Sequence, residues 1–235
     1  MQIEVAGGFQ GPPTMGHGGY VAGLFATRTK GAVQVTLKRP TPLDAPLELV
    51  ETGDGRLELR HGDEVVSESE PSVLEIDVPA PPTLEAARAA EPGSPSHYDG
   101  RGVHPTCFGC GFQREGGLRI AAGPVDVDGV AQVAASWRPS SDYAGPDGVV
   151  DPQWVLAALD CPGAFAFIAT GTRAGLLGRI VFDQYDDVIA GRDHIVTGWQ
   201  IGVDGRKMLA GTALFTASGE LLAAAKATWF GFPAR

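Results

Sequence analysis

One helical pattern occurs twice in this chain, and each copy lacks a chemical group that the other has. The two copies are Gly-His-Gly-Gly-Tyr-Val-Ala-Gly-Leu-Phe-Ala at 16–26 and Asp-Pro-Gln-Trp-Val-Leu-Ala-Ala-Leu-Asp at 151–160. When they are aligned, Gly18 matches Pro152 and Ala26 matches Asp160. The first copy therefore has glycine amides at its start but no acid. The second has an acid but starts with proline, which has no N–H to donate. This asymmetry predicts one site divided between two repeats.

Each predicted helix is followed by segments in which apolar and polar residues alternate, a pattern typical of strands. These segments lie at 32–38, 47–51, 56–60 and 64–69 after the first helix, and at 178–182, 194–201, 207–215 and 221–229 after the second. Tight-turn sequences such as Asp54-Gly55 and Asp204-Gly205 separate several of them. Two more strands are expected before the second helix, at 117–121 and 130–137. A helix followed by antiparallel strands is thus predicted twice.

A proline-rich stretch separates the two copies and predicts the division of the chain. We expect an N-terminal repeat at 1–78, a linker at 79–104 and a C-terminal repeat at 105–235. Within the linker, residues 84–90 are compatible with a short helical turn.

Size and charge exclude several classes of function. A chain of 235 residues can bury a sizeable core. The net charge of −10 argues against nucleic acid and anionic membrane surfaces as main partners. No apolar run reaches the ~18 residues that a membrane span needs, and no secretory signal is visible. Three cysteines are too few for a disulfide framework. We therefore expect a cytoplasmic protein.

An α+β protein in which an antiparallel sheet wraps around a long apolar helix, twice in one chain, resembles the double hotdog fold. The motifs at 16–26 and 151–160 carry the resemblance. The segment Cys107-Phe108-Gly109-Cys110-Gly111, followed by residues 117–120, is also similar to the start of many such domains. Hotdog thioesterases of the phenylacetate-pathway type begin their central helix with a His-Gly-Gly turn and carry an acid about two turns later. The resemblance implies an acyl-CoA thioesterase that forms homo-oligomers, with coenzyme A present only as part of the substrate.

Hydrolysis of an acyl thioester requires a carboxylate that activates water or attacks the carbonyl, and donors that stabilise the oxyanion. The resemblance implies that Asp160 is this carboxylate and that the amides of Gly18 and Gly19 face it as donors. The mirror pair of Pro152 and Ala26 is expected to be inactive. A structural interpretation remains open, in which Asp160 is a buried core carboxylate and the glycines only shape the turn.

Four more residues are candidates for the site. His17 either orders the turn and contacts the substrate, or pairs with Asp160 as in hotdog dehydratases, which would make the protein an enoyl-CoA hydratase or dehydratase. Gln10, Gln153 and Trp154 are predicted to bind substrate. A third possibility is a non-catalytic binder of acyl-CoA or another apolar ligand, because both repeats are incomplete.

The pair Cys107-x-x-Cys110, preceded by His104, is compatible with metal binding but is weak alone. A structural zinc site needs four ligands, and the fourth would have to be Cys161 or His97. With no second paired motif, we expect no metal and no redox cofactor. Basic residues near a ligand phosphate could include the Lys38-Arg39 pair.

Overall fold

The computed structural model describes residues 1–100, 102–172 and 175–231. In these ranges it contains three α-helices, α1 (Gly18–Ala26), α2 (Leu84–Ala90) and α3 (Pro152–Ile168). The strands are β1 (Gln2–Glu4), β2 (Val33–Leu37), β3 (Pro46–Gly53), β4 (Arg56–His61), β5 (Glu64–Pro71), β6 (Gly123–Val127), β7 (Val130–Trp137), β8 (Leu176–Gln184), β9 (His194–Asp204), β10 (Lys207–Thr216) and β11 (Leu221–Phe230). No helix among the described residues is long and apolar enough to cross a membrane.

All these strands form one antiparallel sheet, in the order β1-β3-β4-β5-β2-β8-β11-β10-β9-β7-β6. The two halves of the sheet have the same strand order when each is read outwards from the centre. This order is β2-β5-β4-β3-β1 in one half and β8-β11-β10-β9-β7 in the other, where each strand corresponds to the one numbered six higher, and β6 is added at one edge. At the centre, β2 pairs with β8, so that Val33 lies opposite Phe182 and Val35 opposite Ile180. The repeat predicted from the sequence is therefore a repeat of topology, joined through this strand pair.

Helices α1 and α3 pack against each other and against one face of the sheet. They run antiparallel, since Gly19 lies against Asp160 whereas Gly23 lies against Gln153. A Cβ at Gly19 would be 2.6 Å from the Asp160 Cβ, and one at Gly23 would be 2.6 Å from the Gln153 Cα. Gly19 and Gly23, four residues apart on α1, thus let the two helix backbones come into contact.

A second, smaller core covers the opposite face of the sheet beneath α2. Strand residues alternate between the two cores, as Val196 and Leu214 belong to the main core but Ile195 and Phe215 to the smaller one. Ala87 of α2 is fully buried there. The predicted linker therefore contributes a short helix, as expected, and that helix helps to bury the sheet.

The predicted strands after both helices are confirmed, and so is the strand at 130–137. The strand expected at 117–121 is wrong, because this segment pairs with the cysteine loop. The Leu118 N–H donates to the Phe108 carbonyl and the Ile120 N–H to the Gly109 carbonyl, both at 2.8 Å. The sheet instead begins its second half at β6. The boundaries 1–78, 79–104 and 105–235 stay a prediction.

Candidate active site

Asp160 of α3 contacts the N-terminus of α1, the arrangement that the resemblance implied. The Gly19 N–H donates to Oδ2 of Asp160 at 2.6 Å. Nε2 of His17 lies 3.3 Å from the same oxygen. The amide arrangement at a helix N-terminus favours a negative charge there. Oδ1 of Asp160 is buried and has no hydrogen-bond partner among the described residues. One carboxylate oxygen is thus anchored, and the other is buried without a partner among the described residues.

His17 is the N-cap of α1 and is almost completely buried. Its Nδ1 accepts the Tyr20 N–H at 3.2 Å, which satisfies one of the free amides of the first turn. The cap exists only while Nδ1 is unprotonated, so the proton of the neutral ring is on Nε2, facing Asp160.

Burial and charge act in opposite directions on this pair. Burial raises the pKa of Asp160 from its usual value, while His17 and the Gly19 N–H oppose the shift. Burial also disfavours a charged His17, but the Asp160 carboxylate and the Cys107 thiol outweigh it and raise the pKa of His17 to about 9. A second proton on the ring would have to occupy Nδ1. Protonation of His17 and the cap bond to Tyr20 therefore exclude each other.

The Asp160 side chain lines a cavity of about 400 Å³ at this end of α1. His17 and Gly18 line it as well, and no hydrogen bond to the Gly18 N–H is seen among the described residues. The remaining walls are mostly apolar and include Val21, Leu37, Phe165, Ile168, Leu177 and Trp229. Lys38, Arg39 and His104 also line it. The cavity combines one carboxylate, one available helix amide and an apolar interior.

Three buried thiols lie beside the carboxylate, and the sequence had linked Cys161 to Cys107 and Cys110 only as one of two candidates, with His97, for the fourth ligand of a metal site. Sγ of Cys161 is 3.8 Å from Sγ of Cys107 and 3.5 Å from Nε2 of His17. Interactions with the Cys110 and Cys161 thiols lower the pKa of the Cys107 thiol. The interaction with Cys107 raises the pKa of the Cys161 thiol. The sequence signals were the Cys107-x-x-Cys110 pair and the position of Cys161 directly after Asp160.

The residues predicted to bind substrate lie elsewhere, outside the walls of this cavity. Nε2 of Gln10 donates to Oγ1 of Thr106 at 3.1 Å. The Trp154 ring packs in a cluster with Phe9, Tyr20, Phe108 and Tyr143. Gln153 faces the α1 backbone at Gly23, and its Nε2 is buried without a partner among the described residues. The structure therefore brings His17, Gly18, Gly19 and Asp160 together, but not these three.

The mirror position at the other end of the helix pair also has a cavity, of about 280 Å³. Ala26 and Pro152 both line it, as predicted from the alignment. The expectation that this side has no acid needs correction, because Asp186 and Asp187 line it as well. They belong to the exposed loop after β8, so neither occupies the helix position that corresponds to Asp160.

Comparison with solved structures identifies the fold. A TesB protein of Mycobacterium avium subsp. paratuberculosis matches with a TM-score of 0.66 at 18% identity, covering 99% of this chain and 92% of that one. A hot dog fold protein of unknown function from Alicyclobacillus acidocaldarius matches with a TM-score of 0.64 at 13% identity, covering 100% and 93%. The fold is a double hotdog. The acyl-CoA thioesterase II TesB2 of Mycobacterium marinum is also similar to this double hotdog chain, with a TM-score of 0.57, 16% identity and coverage of 92% and 89%.

No protein-family model matches the chain, and no curated protein matches it. At these identities the likeness concerns the fold. The α+β double hotdog predicted from the two helical motifs is thereby confirmed.

Proposed function

We propose that this double hotdog protein hydrolyses an acyl thioester at the composite site between its two repeats. The observation that carries the proposal is the contact between Asp160 of α3 and the first turn of α1, at a residue that lines a largely apolar cavity and whose Oδ1 is buried without a partner among the described residues. A base or nucleophile and an oxyanion donor are the two groups that this reaction requires.

The roles within the site follow from which groups are already paired. The Gly19 N–H is bonded to Asp160 and positions it, so it is not free for the substrate. The Gly18 N–H is the candidate oxyanion donor, since it lies at the helix start and Gly18 lines the cavity. Asp160 then activates water or attacks the thioester carbonyl, which is drawn towards Gly18. His17 donates from Nε2 to Asp160 and keeps the carboxylate oriented.

The substrate class follows from the walls of the cavity. Its apolar residues suit an acyl chain, and the thioester carbonyl would lie next to Asp160. Lys38 and Arg39, each paired with an exposed glutamate, can contribute positive charge for the phosphates of coenzyme A. Two solved structures of this fold are named as a TesB protein and an acyl-CoA thioesterase II, and these names agree with the assignment.

The test is Asp160→Asn, assayed by chromatographic loss of a panel of acyl-CoAs. The amide keeps an oxygen to accept the Gly19 N–H but cannot act as base or nucleophile. We expect kcat/KM to fall by about 10²–10⁴. Asp151→Asn is the matched control, since Asp151 is exposed at the start of the same helix and makes no side-chain cap bond. It should keep full activity.

Turnover by Asp160→Asn close to that of the unmodified protein would contradict the assignment. Binding of acyl-CoA by both proteins without turnover would favour the non-catalytic binder.

The contact of His17 with Asp160 supports a second candidate, addition of water to an enoyl-CoA. In that reaction the His–Asp pair would transfer protons to and from the substrate. The same panel separates the two, because hydration consumes the enoyl double bond and leaves the thioester intact. The cytoplasmic location and the homo-oligomer stay predictions from the sequence.

A further inference from the structure

The side chains of His17, Cys107 and Cys161 converge beside the cavity. Their Nε2 and Sγ atoms all lie within 4.8 Å of one another, which in the described part of the chain is a group able to hold a metal ion. Cys110 lies outside this group of three, but it is buried in the same loop as Cys107 and lines the same cavity. All four residues also line the cavity, so an ion has a path to them.

The spacing of the His17, Cys107 and Cys161 ligand atoms fits three corners of a tetrahedron, and Cys110 is the candidate for the fourth. Zinc binds thiolate sulfur at about 2.3 Å and imidazole nitrogen at about 2.0–2.1 Å. Tetrahedral angles then place two sulfurs about 3.8 Å apart, and a sulfur and a nitrogen about 3.5–3.6 Å apart. The Cys107–Cys161 sulfur separation is 3.8 Å, and the distance from Cys161 Sγ to His17 Nε2 is 3.5 Å. Both distances agree with the tetrahedron.

The loop that carries two of the thiols is folded tightly around them. The Gly111 N–H donates to the Cys107 carbonyl at 2.9 Å and closes the turn between the two cysteines. A Cβ at Gly109 would be 2.5 Å from His17 Nε2 and 2.9 Å from Cys161 Sγ. Glycine is therefore required for the loop to bring its thiols this close to α1 and α3.

We propose that Cys107, Cys110, Cys161 and His17 form a tetrahedral site for one zinc ion. Three thiolates and an imidazole are a usual ligand set for structural zinc and suit it better than oxygen-seeking cations. The ion would join the cysteine loop of the second repeat to α3 and to the first turn of α1. This site departs from the absence of metal expected from the sequence, and it does not depend on the proposed hydrolysis.

Zinc binding has a defined consequence for His17. Coordination through Nε2 moves the ring proton to Nδ1, which ends the cap bond to the Tyr20 N–H. The lost hydrogen bond is a single helix cap, and its stabilising free energy is small compared with the free energy of zinc binding to thiolates. With that proton on Nδ1, Nε2 no longer donates to Asp160, so Gly19 alone holds Asp160 in the metal-bound protein.

The experiment is a metal titration of the full-length protein, kept reduced and stripped with a chelator. We expect it to bind about one Co²⁺ per chain, with thiolate-to-cobalt charge-transfer absorption and the visible bands of a tetrahedral ion. Zn²⁺ should abolish these bands by displacement and should raise the melting temperature. These readouts are independent of turnover, so the site and the proposed hydrolysis can fail separately.

Variants assign the ligands. Loss of an outer partner of a metal typically lowers its affinity 10–100-fold, so Cys110→Ser, Cys161→Ser and His17→Asn should each lower zinc affinity at least about tenfold. Asn is a good N-cap, so the last variant keeps α1 capped while removing the imidazole. The matched controls are His104→Asn and His97→Asn, because His104 lies in the cavity wall outside the cluster and His97 packs on Phe112.

Three results would contradict the site. One is a wild-type titration without tetrahedral cobalt bands, a result that does not depend on whether any variant folds. Another is a mass spectrum of the freshly isolated protein in which Cys107 and Cys161 form a disulfide and no metal is bound. Unchanged zinc affinity in His17→Asn would remove His17 from the ligand set and so contradict the site as proposed.

Discussion

At the scale of single residues, Asp160 is a buried carboxylate, and burial of its charge costs free energy unless the charge is compensated. Its cost is offset on one oxygen by the Gly19 N–H and by His17. The other oxygen has no such compensation among the described residues. A purely structural carboxylate would be expected to satisfy both oxygens, whereas one kept for a ligand leaves an oxygen free.

Gly19 is the residue whose substitution should disturb this contact most directly. An alanine Cβ there would lie 2.6 Å from the Asp160 Cβ and 2.7 Å from the Leu156 carbonyl oxygen. We expect Gly19→Ala to lower the free energy of unfolding by about 1–3 kcal/mol in urea titrations, because the helices must separate. Gly8→Ala is the control, since no atom lies within 4 Å of its Cβ. Equal stability of the two variants would show that the helix contact tolerates a methyl group.

At the scale of elements, α1 and α3 have different tasks although they derive from the same pattern. The nine-residue α1 provides an open helix start, while the 17-residue α3 spans the core and carries Asp160 and Cys161. Pro152 occupies the first position of α3, where its missing N–H costs no helix bond but removes one possible donor. Helix α2 lies on the opposite face of the sheet and takes no part in this site.

A substitution at the N-cap of α2 tests whether this helix contributes only to stability and not to the site. Oγ1 of Thr83 accepts the Ala86 N–H at 3.1 Å. Thr83→Ala should lower the free energy of unfolding by about 1 kcal/mol, without changing acyl-CoA turnover or zinc affinity. Thr83→Ser retains the hydroxyl and should restore stability. Loss of turnover in Thr83→Ala would instead couple the second core to the site.

At the scale of the whole molecule, the two repeats are joined by the β2–β8 strand pair and by the α1–α3 contact. Both junctions bury groups that each repeat would expose alone, such as Val35 and Ile180, which are fully buried. The candidate catalytic site and the proposed zinc site both draw residues from the two repeats. Neither site can therefore form within one repeat.

Separation of the halves tests this dependence. Residues 1–104 expressed alone should show no cooperative thermal transition by circular dichroism, since the β2 edge and the α1 face lose their partners. Mixing with residues 105–235 during refolding should restore the transition and the site. A cooperative transition in the N-terminal piece alone would mean that the repeats are independently stable domains.

Much of the fold was predictable because it depends on local periodicity. Alternating strands, their turns and two apolar helices can be inferred from neighbouring residues. The segment at 117–121 was mispredicted for a physical reason. Its backbone hydrogen bonds go to the loop at Phe108 and Gly109, and no local pattern reveals that partner. The three-residue strand β1 is too short to produce a periodic signal.

The sequence by itself determined the two helical motifs and the acid that only the second one carries, because both are local patterns. That Asp160 faces the start of α1 was implied by the resemblance to hotdog proteins, since the spacing within one helix does not reveal its partner helix. Only the tertiary structure decided that Cys161 meets both His17 and Cys107. These partners are 144 and 54 residues away in the chain, and only the packing of the cysteine loop against both helices brings them together.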